Sequence, residues 1–332
     1  MAGDGQFVTH LNLRKLRLYL VASYLSDLCD PCIGLQRNRM TSVTLSSLMI
    51  GTVTMAFIGA CSLSFATESR AQATLPSRFD FAGEVQKTRL NYELKETSAL
   101  TVDKDGQIWT LQDERGHVYS VDPGTGEILR QHKFDGRGDF EGLEAVGDHL
   151  FALRSDGRLF RMNRRNPAPE TTDQIKLDLP RGCDSEGLEW HEAIERFLIV
   201  CKEADGVSNS KGRAIYAFKQ NGERDGKEPY FYVSEDELTA LGHRHGIGAF
   251  KPSALAIDPV SGAHYMLSST RPGIMIWTNE GAMFTGLDVD DMRQPEGIAF
   301  DQEGNLLITS EAKGGHAHMY LFEPVTQPSE KK

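Results

Sequence analysis

Three glutamate–glycine pairs at the start of short apolar runs carry the strongest chemical signal in the sequence: Glu141-Gly142, Glu186-Gly187 and Glu296-Gly297. Two further runs have Ser98 and Ser253 at the equivalent position. Carboxylates that are brought close together disfavour each other's ionisation, and a bound cation relieves that repulsion. Ca²⁺ takes about six to eight oxygen ligands, so it suits such a group. If the fold brings these glutamates together, the sequence predicts a Ca²⁺ site.

A second set of acidic residues follows the next apolar run in three of the repeats: Asp113, Glu203 and Glu311. Together with Glu141, Glu186 and Glu296 they complete the predicted metal-ligand set. A structural role is the alternative. Each glutamate could instead hydrogen-bond the backbone of the neighbouring repeat, with the glycine serving only the turn.

Basic residues occupy positions equivalent to this second set, Arg154 in one repeat and Lys202 in another. A cation flanked by basic side chains would suit an anionic ligand such as a phosphate ester. In an enzyme, Glu186, Lys202 and Arg154 are therefore the catalytic candidates, with metal-bound water as the nucleophile. The sequence has no GxSxG or HExxH motif and no phosphate-binding glycine loop. We therefore favour the hypothesis that the protein is a binding module. A calcium-dependent phosphoesterase or lactonase-type hydrolase is the alternative hypothesis.

Two cysteines lie in this part of the chain, Cys183 just before one glutamate–glycine pair and Cys201 at the end of the next apolar run. If the two runs form antiparallel neighbours, these side chains can face each other. A disulfide would then form in an oxidising compartment. Two unpaired buried thiols are the alternative.

An internal repeat positions all of these residues. From Ser98 through Glu141, Glu186 and Ser253 to Glu296, the spacings are 43, 45, 67 and 43 residues. Each repeat contains short β-branched or aromatic runs separated by Gly/Asp turns, which is typical of a propeller blade. We predict an all-β chain that forms one β-propeller of five four-stranded blades. The long spacing leaves six blades as an alternative, although its extra residues around 234–241 have the N-cap pattern of a short helix.

The order of strands in a blade predicts where the site lies. An inner strand begins on the face where the second strand ends, so both acidic sets should surround one mouth of the central channel. The last repeat has three strands and ends near Pro324. We expect the segment Arg78–Val85 to supply the missing outer strand and close the ring.

The N-terminal region has the features of an export signal. Residues 41–60 carry no charge and follow Arg37 and Arg39. The sequence Ile58-Gly59-Ala60-Cys61 resembles a bacterial lipobox, which predicts cleavage before Cys61 and lipidation of that cysteine. Ser62 in the next position suits the outer membrane. An uncleaved anchor and ordinary cleavage after Ala66 are the alternatives.

These features divide the chain into five segments. We predict a non-structural upstream segment (1–39), a signal and lipobox (40–61), a tether (62–77), the propeller (78–324) and a polar tail (325–332). The protein is expected in the bacterial cell envelope, facing the periplasm and held to the membrane by its lipid or signal anchor.

The overall charge narrows the choice of partners. The formal net charge of the chain is −11, with 36 Lys+Arg against 47 Asp+Glu. Such a chain is repelled by nucleic acid, so nucleic acid is not expected as a partner. We expect a monomer that binds a small anionic ligand or an envelope protein.

The ordered series of motifs resembles the SdiA-regulated (YjiK-like) family. The residues that carry the resemblance are Phe140–Glu144, Asp184–Leu188 with Lys202-Glu203, and Gln294–Ala299 with Leu306–Ala312. The resemblance extends from about Leu94 to Phe322 and implies a membrane-attached propeller. A weaker resemblance is to the β-propeller phytases, which pair an inner Glu-Gly with an acidic residue after the second strand, as Glu186 with Glu203 and Glu296 with Glu311. The chain lacks their Asp-Asp-Pro-Ala-type motif.

Overall fold

A computed structural model of the chain describes residues 77–203 and 212–325. These residues form five four-stranded antiparallel sheets. The five-bladed propeller predicted from the repeat is confirmed, and the six-bladed alternative is wrong. Each sheet is one blade, and its strands follow one another from the channel outward.

The strands are numbered in chain order. Blade 1 contains β2 (Thr97–Val102), β3 (Ile108–Gln112), β4 (Arg115–Val121) and β5 (Ile128–Arg137). Blade 2 contains β6 (Phe140–Val146), β7 (His149–Arg154), β8 (Arg158–Asn163) and β9 (Asp173–Lys176). Blade 3 contains β10 (Ser185–His191), β11 (Arg196–Cys201), β12 (Gly212–Phe218) and β13 (Phe231–Ser234). Blade 4 contains β14 (Pro252–Ile257), β15 (His264–Ser268), β16 (Gly273–Trp277) and β17 (Ala282–Gly286). Blade 5 contains β18 (Pro295–Phe300), β19 (Leu306–Ser310), β20 (His318–Phe322) and, as its outer strand, β1 (Gln86–Arg89).

The inner strands β2, β6, β10, β14 and β18 form a closed ring. Each contacts the next, and β18 contacts β2. The hydrophobic core lies between the faces of neighbouring blades rather than within one blade. Tyr265 and Ile274 of blade 4, for example, belong to the same buried cluster as Leu306 and Ile308 of blade 5. A blade therefore buries both faces only when its two neighbours are in place.

Ring closure by an N-terminal strand is confirmed, but the strand is not the segment expected. The closing strand is β1, which pairs antiparallel with β20. Part of the expected segment Arg78–Val85 packs in the core instead, since Phe79 and Phe81 are only 3% and 6% exposed. Burying two aromatic rings is worth more than placing them on an exposed outer strand. The polar residues of β1 suit that solvent-facing position.

The extra residues of the long third repeat contain a short helix, as their pattern predicts. Helix α1 (Glu235–Ala240) begins after Ser234, whose hydroxyl accepts from the backbone N–H of Glu237. The Glu237 side chain in turn accepts from the backbone N–H of Ser234 at 2.9 Å. This reciprocal capping fixes the helix start. Four 3₁₀ turns complete the described helices, at Tyr92–Leu94, Pro169–Thr171, Glu192–Ile194 and Ile247–Ala249.

The glycine of each glutamate–glycine pair lies where two inner strands come closest. A Cβ on Gly187 would lie 2.8 Å from both Cα of Ala254 and the backbone nitrogen of Leu255 in the next blade. A Cβ on Gly297 would meet the Leu100 Cβ at 2.8 Å. The other blades have Ala99 and Ala254 at this position. The small residue therefore has a packing role in the ring.

We expect Gly187→Ala to lower the free energy of unfolding by about 1–3 kcal/mol, because the added methyl group overpacks two backbones. Urea unfolding followed by circular dichroism measures the change. Gly248→Ala is the matched control, since a Cβ there meets no atom within 4 Å. Equal stability of the two variants would contradict this role for Gly187.

Candidate functional site

Pairing between the first two strands of each blade brings both acidic sets to one end of the channel. The first residue of each inner strand lies opposite the last residue of the second strand, as in Phe140↔Arg154, Ser185↔Cys201 and Pro295↔Ser310. The inner-strand glutamates and the residues that follow the second strands therefore share one mouth.

A β-bulge aims the inner-strand glutamates. In all five inner strands the pairing register shifts just after the first residue, as between Phe140 and Gly142 or between Pro295 and Gly297. The bulge leaves Ser98, Glu141, Glu186, Ser253 and Glu296 out of the regular ladder. Bulges of this kind re-aim a side chain and are common beside functional sites.

The two serines at this position hold the ring together. Ser98 Oγ donates to the carbonyl of Phe140 at 2.7 Å, and Ser253 Oγ donates to the carbonyl of Pro295 at 2.8 Å. Each bond joins one blade to the next. The structural role that was an alternative for the glutamates is thus filled by serine in blades 1 and 4.

Glu186 has a different partner. Lys202 Nζ donates to Glu186 Oε1 at 2.8 Å, and the Glu186 side chain is only 2% exposed. Glu186 Oε2 is buried and has no hydrogen-bond partner among the described residues. Burial raises the pKa of Glu186, against the opposing charge of Lys202. One oxygen of the Glu186 carboxylate is therefore paired with Lys202, and the other has no donor among the described residues.

Glu141 and Glu296 share this environment. Burial and the repulsion of Glu186 raise the pKa of Glu141 well above its usual range. Gln294 Nε2 donates to Glu296 Oε1 at 2.8 Å. Burial, again with repulsion from Glu186, raises the pKa of Glu296 to about 8. Glutamates from blades 2, 3 and 5 thus interact electrostatically across the mouth.

A second acidic group lies where blade 5 meets blade 1. Burial raises the pKa of Glu311 to about 7, and Asp113 and Glu96 contribute repulsion. Burial and the charge of Glu96 raise the pKa of Asp113 to about 6. Asp113 Oδ1 is buried without a hydrogen-bond partner among the described residues. The charge of Glu311 also raises the pKa of Glu296. This second acidic group therefore interacts electrostatically with an inner-strand glutamate.

Two other predicted site residues are neutralised locally. Glu203 forms an ion pair with Lys251, whose hydrogen bond lowers the pKa of Glu203. Arg154 donates to both oxygens of Asp156, at 3.0 and 2.8 Å, and lies 3.7 Å from Asp135. Neither side chain carries a free charge into the mouth.

Cys183 and Cys201 form a disulfide whose Cα atoms are 5.0 Å apart. It joins the segment entering β10 to the end of β11. Glu186 and Lys202 follow these cysteines closely in the chain, so the covalent link fixes the backbone that carries this ion pair.

The site predicted from the sequence omits two further buried glutamates, Glu144 and Glu189. Glu144 and Glu189 lie three residues after Glu141 and Glu186 on the same strands, and burial raises the pKa of both. Glu189 Oε1 accepts from the backbone N–H of Ile257 in blade 4 at 3.0 Å. The repeated Glu-Gly-Leu-Glu sequence was the available signal.

Residues 77–203 and 212–325 contain no group of three or more His, Cys, Asp or Glu side chains already arranged around a metal position. Across the same residues, no helix is long and apolar enough to span a membrane. The predicted lipidation site Cys61, the signal segment and nearly all of the tether lie outside the described residues.

Fold and site together define a class of protein, a five-bladed β-propeller with an acidic channel mouth. The chain belongs to the SdiA-regulated family, whose sequence profile matches residues 77–314. The resemblance noted in the sequence is thereby confirmed. No curated protein is significantly similar to the chain in sequence.

Several solved structures are similar to the chain at low sequence identity. Streptogramin B lyase is 13% identical with a TM-score of 0.39, over 68% of this chain and 65% of that one. A Bacteroides thetaiotaomicron protein of unknown function is 16% identical with a TM-score of 0.46, over 68% and 58% of the two chains. Glutaminyl cyclase from Myxococcus xanthus is 12% identical with a TM-score of 0.47, over 74% and 97%. The chain spans less than two thirds of the length of the first two of these structures.

The raised pKa values predict a stability that depends on pH. In the folded chain Glu296 and Glu311 keep protons that the unfolded chain releases at lower pH, so the free energy of unfolding falls as pH rises. We expect a fall of about 1–2 kcal/mol between about pH 6.5 and 8.5. Histidines with lowered pKa values, such as His191 and His264, are partly protonated near pH 6.5 only in the unfolded chain, so their opposing contribution is confined to the lower end of this window. Urea unfolding at a series of pH values measures the slope.

Glu296→Gln should flatten this slope, because it removes the carboxyl whose pKa is raised to about 8. Glu280→Gln, at an exposed turn, is the matched control and should keep the wild-type slope. A wild-type stability that is constant or rises over this window would show that the mouth carboxyls ionise freely.

Proposed function

We propose that the protein is a cell-envelope binding module whose acidic mouth binds a divalent cation, Ca²⁺. The observation that carries the proposal is the convergence of carboxyls from blades 1, 2, 3 and 5 on one mouth. Two of their oxygens, Glu186 Oε2 and Asp113 Oδ1, are buried without a hydrogen-bond partner among the described residues. A buried carboxylate oxygen without a donor is costly, and a hard cation would satisfy it.

We assign the cation to Asp113, Glu296 and Glu311, whose side chains would have to move together around it, because the described residues contain no group of three such ligands already arranged around a metal position. The three carboxyls come from two adjacent blades, and burial is the largest cause of their raised pKa values. The charge of Asp113 adds to the raised pKa of Glu311, and the charge of Glu311 adds to that of Glu296. The charge of Lys313 opposes this repulsion at Glu311, where burial still raises the pKa to about 7. A bound Ca²⁺ would stabilise the ionised forms of all three groups and draw backbone carbonyls or water into the remaining positions.

Binding is favoured over hydrolysis because of what the basic residues do. A phosphoesterase needs a free positive charge to hold its anionic substrate. Arg154 is engaged by Asp156, and Lys202 by Glu186. The geometry therefore supports a module that presents a cation, and through it a binding surface, to a small ligand or envelope protein.

The N-terminal sequence supports the proposed location. An uncharged segment followed by Ile58-Gly59-Ala60-Cys61 suits export and lipid attachment at Cys61. A lipid anchor would hold the propeller at the membrane surface.

Isothermal titration of Ca²⁺ into the EDTA-stripped full-length chain tests the cation proposal. We expect saturable binding of one ion and at least a tenfold loss of affinity, about 1.4 kcal/mol, in the Glu296→Gln/Glu311→Gln double variant. The reason is the loss of two of the three proposed carboxylate ligands. Glu280→Gln is the matched control and should bind as the wild type does. Undetectable binding, or equal binding by the double variant, would refute this cation site.

Metabolic labelling with radioactive palmitate tests the anchor. The wild-type chain, expressed in a Gram-negative host, should carry the label and fractionate with membranes. Cys61→Ala should lose the label, because it removes the sulfur that accepts the lipid. Cys32→Ala is the control, since it removes a cysteine outside the lipobox and should keep the label. An unlabelled wild-type chain would point to ordinary signal cleavage or an uncleaved anchor.

A further inference from the structure

Two polar atoms on β4 of blade 1 are buried without a hydrogen-bond partner among the described residues, the hydroxyl oxygen of Tyr119 and Nδ1 of His117. The two residues are two positions apart on the strand, so their side chains lie on the same face. Tyr119 is fully buried in a cluster with Ala317 and Met319 of blade 5, so this face is turned toward blade 5. A buried hydroxyl without a partner is costly, and a ligand that accepts its hydrogen bond would remove that cost.

Blade 5 adds a third polar atom of this kind. Nδ1 of His316 is also buried without a hydrogen-bond partner among residues 77–203 and 212–325. His316 directly precedes Ala317, which belongs to the same buried cluster as Tyr119. The ring of His316 lies 6.2 Å from the ring of Tyr92, centroid to centroid. Unpartnered polar atoms from two blades therefore lie at one junction.

Positive charge lies beside this junction. Lys133 is exposed and directly opposite His117 in the pairing of β4 with β5. Arg115 begins β4. Both charges act on His117, because burial and then Lys133 and Arg115 lower the pKa of its imidazole.

The ion pair of Arg115 leaves this charge accessible. Arg115 lies 3.4 Å from Glu93, and the two side chains are 47% and 54% exposed. An exposed pair at this distance contributes little to stability. The guanidinium can therefore turn to a ligand at modest cost.

From this arrangement we propose that the junction of blades 1 and 5 binds an oxyanion, the carboxylate or phosphate group of a small ligand. The residues that would hold it are Arg115, His117, Tyr119, Lys133 and His316, which we call the basic junction. An oxyanion accepts several hydrogen bonds at once and pairs with basic side chains. The basic junction requires no metal and goes beyond the proposed cation site.

Isothermal titration of inorganic phosphate, and separately of acetate, into the full-length chain in EDTA tests the proposal. We expect saturable binding of one anion per chain. Tighter binding of phosphate would identify a phosphate group as the natural ligand's anion, and tighter binding of acetate would identify a carboxylate. Undetectable binding of both anions would overturn the proposal.

Tyr119→Phe removes the buried hydroxyl and keeps the ring. We expect the affinity for the anion to fall at least about fivefold, because a hydrogen bond to a charged group is lost. Tyr320→Phe is the matched control, since the hydroxyl of Tyr320 donates to the carbonyl of Asp290 at 3.2 Å, and it should bind the anion as the wild type does. Equal affinity of Tyr119→Phe and the wild type would refute this site.

The stability of the same two variants provides a second measurement. In urea unfolding without added anion, Tyr119→Phe should be at least as stable as the wild type, because its hydroxyl has no partner among the described residues. Tyr320→Phe should be less stable, because it loses a hydrogen bond. A loss of stability in Tyr119→Phe as large as that in Tyr320→Phe would show that the Tyr119 hydroxyl is bonded within the chain, and the inference would be wrong.

Two charge substitutions test the electrostatic part of the site. Lys133→Met should weaken binding at least about fivefold, because it removes a positive charge beside the anion. Glu93→Gln should strengthen binding, because it releases Arg115 from its carboxylate partner. Lys104→Met is the control, since Lys104 pairs with Asp148 at 2.6 Å in the turn after the inner strand, at the other end of the blade. Unchanged affinity in both Lys133→Met and Glu93→Gln would contradict the proposal.

This proposal and the proposed cation function can fail separately. The anion titrations contain EDTA, so anion binding there does not depend on Ca²⁺. If the chain binds Ca²⁺ but neither anion, the basic junction is wrong and the cation site stands. Anion binding that Tyr119→Phe weakens would support the basic junction even in a chain that binds no Ca²⁺.

Discussion

Close packing between neighbouring inner strands is the constraint on which the rest of the structure depends. A blade has apolar residues on both faces, and it can bury them only against two neighbours. The ring therefore has to close, and closing it brings the inner strands within contact of one another. Gly142, Gly187 and Gly297, with Ala99 and Ala254, are the small residues that permit this approach. The glycine of each pair lets neighbouring inner strands pack closely. The bulge at the same place turns the preceding glutamate away from this contact.

The same packing explains the electrostatics of the mouth. Glutamates at the bulges of β6, β10 and β18 are drawn into a partly dehydrated space, where burial is the largest cause of their raised pKa values. Collecting like charges in such a place destabilises the fold unless cations or protons compensate. Lys202 supplies part of this compensation at Glu186, and Gln294 donates to Glu296. Glu186 Oε2 and Asp113 Oδ1 have no hydrogen-bond partner among the described residues, so this compensation is incomplete. The proposed cation would act on carboxylates that the fold has already brought together.

The chain belongs to the SdiA-regulated family, but membership of this family does not identify a reaction or a ligand. Propellers support unrelated functions on one scaffold, so function has to be argued from the mouth and not from the fold. At the mouth the basic residues that could hold an anion are engaged by carboxylates within their own blades, whereas carboxylate oxygens remain unsatisfied. That balance is what favours a cation-binding module over a phosphoesterase.

The sequence by itself determined the architecture and most of the mouth. Strand runs, Gly/Asp turns and the capping pattern at Ser234 are local, and the spacing of the five repeats predicted the number of blades and the positions of Glu141, Glu186 and Glu296. Tertiary structure alone decided which charges meet. Lys202 with Glu186, Lys251 with Glu203 and the interacting Glu144 and Glu189 depend on where side chains lie across strands and blades. It also selected β1 over Arg78–Val85 as the closing strand, because the core between blades had room for Phe79 and Phe81. The periodicity of the sequence encodes the repeating blade. Which charges neutralise each other and which side chains are buried depend on distances in the folded chain, and no local sequence pattern specifies those distances.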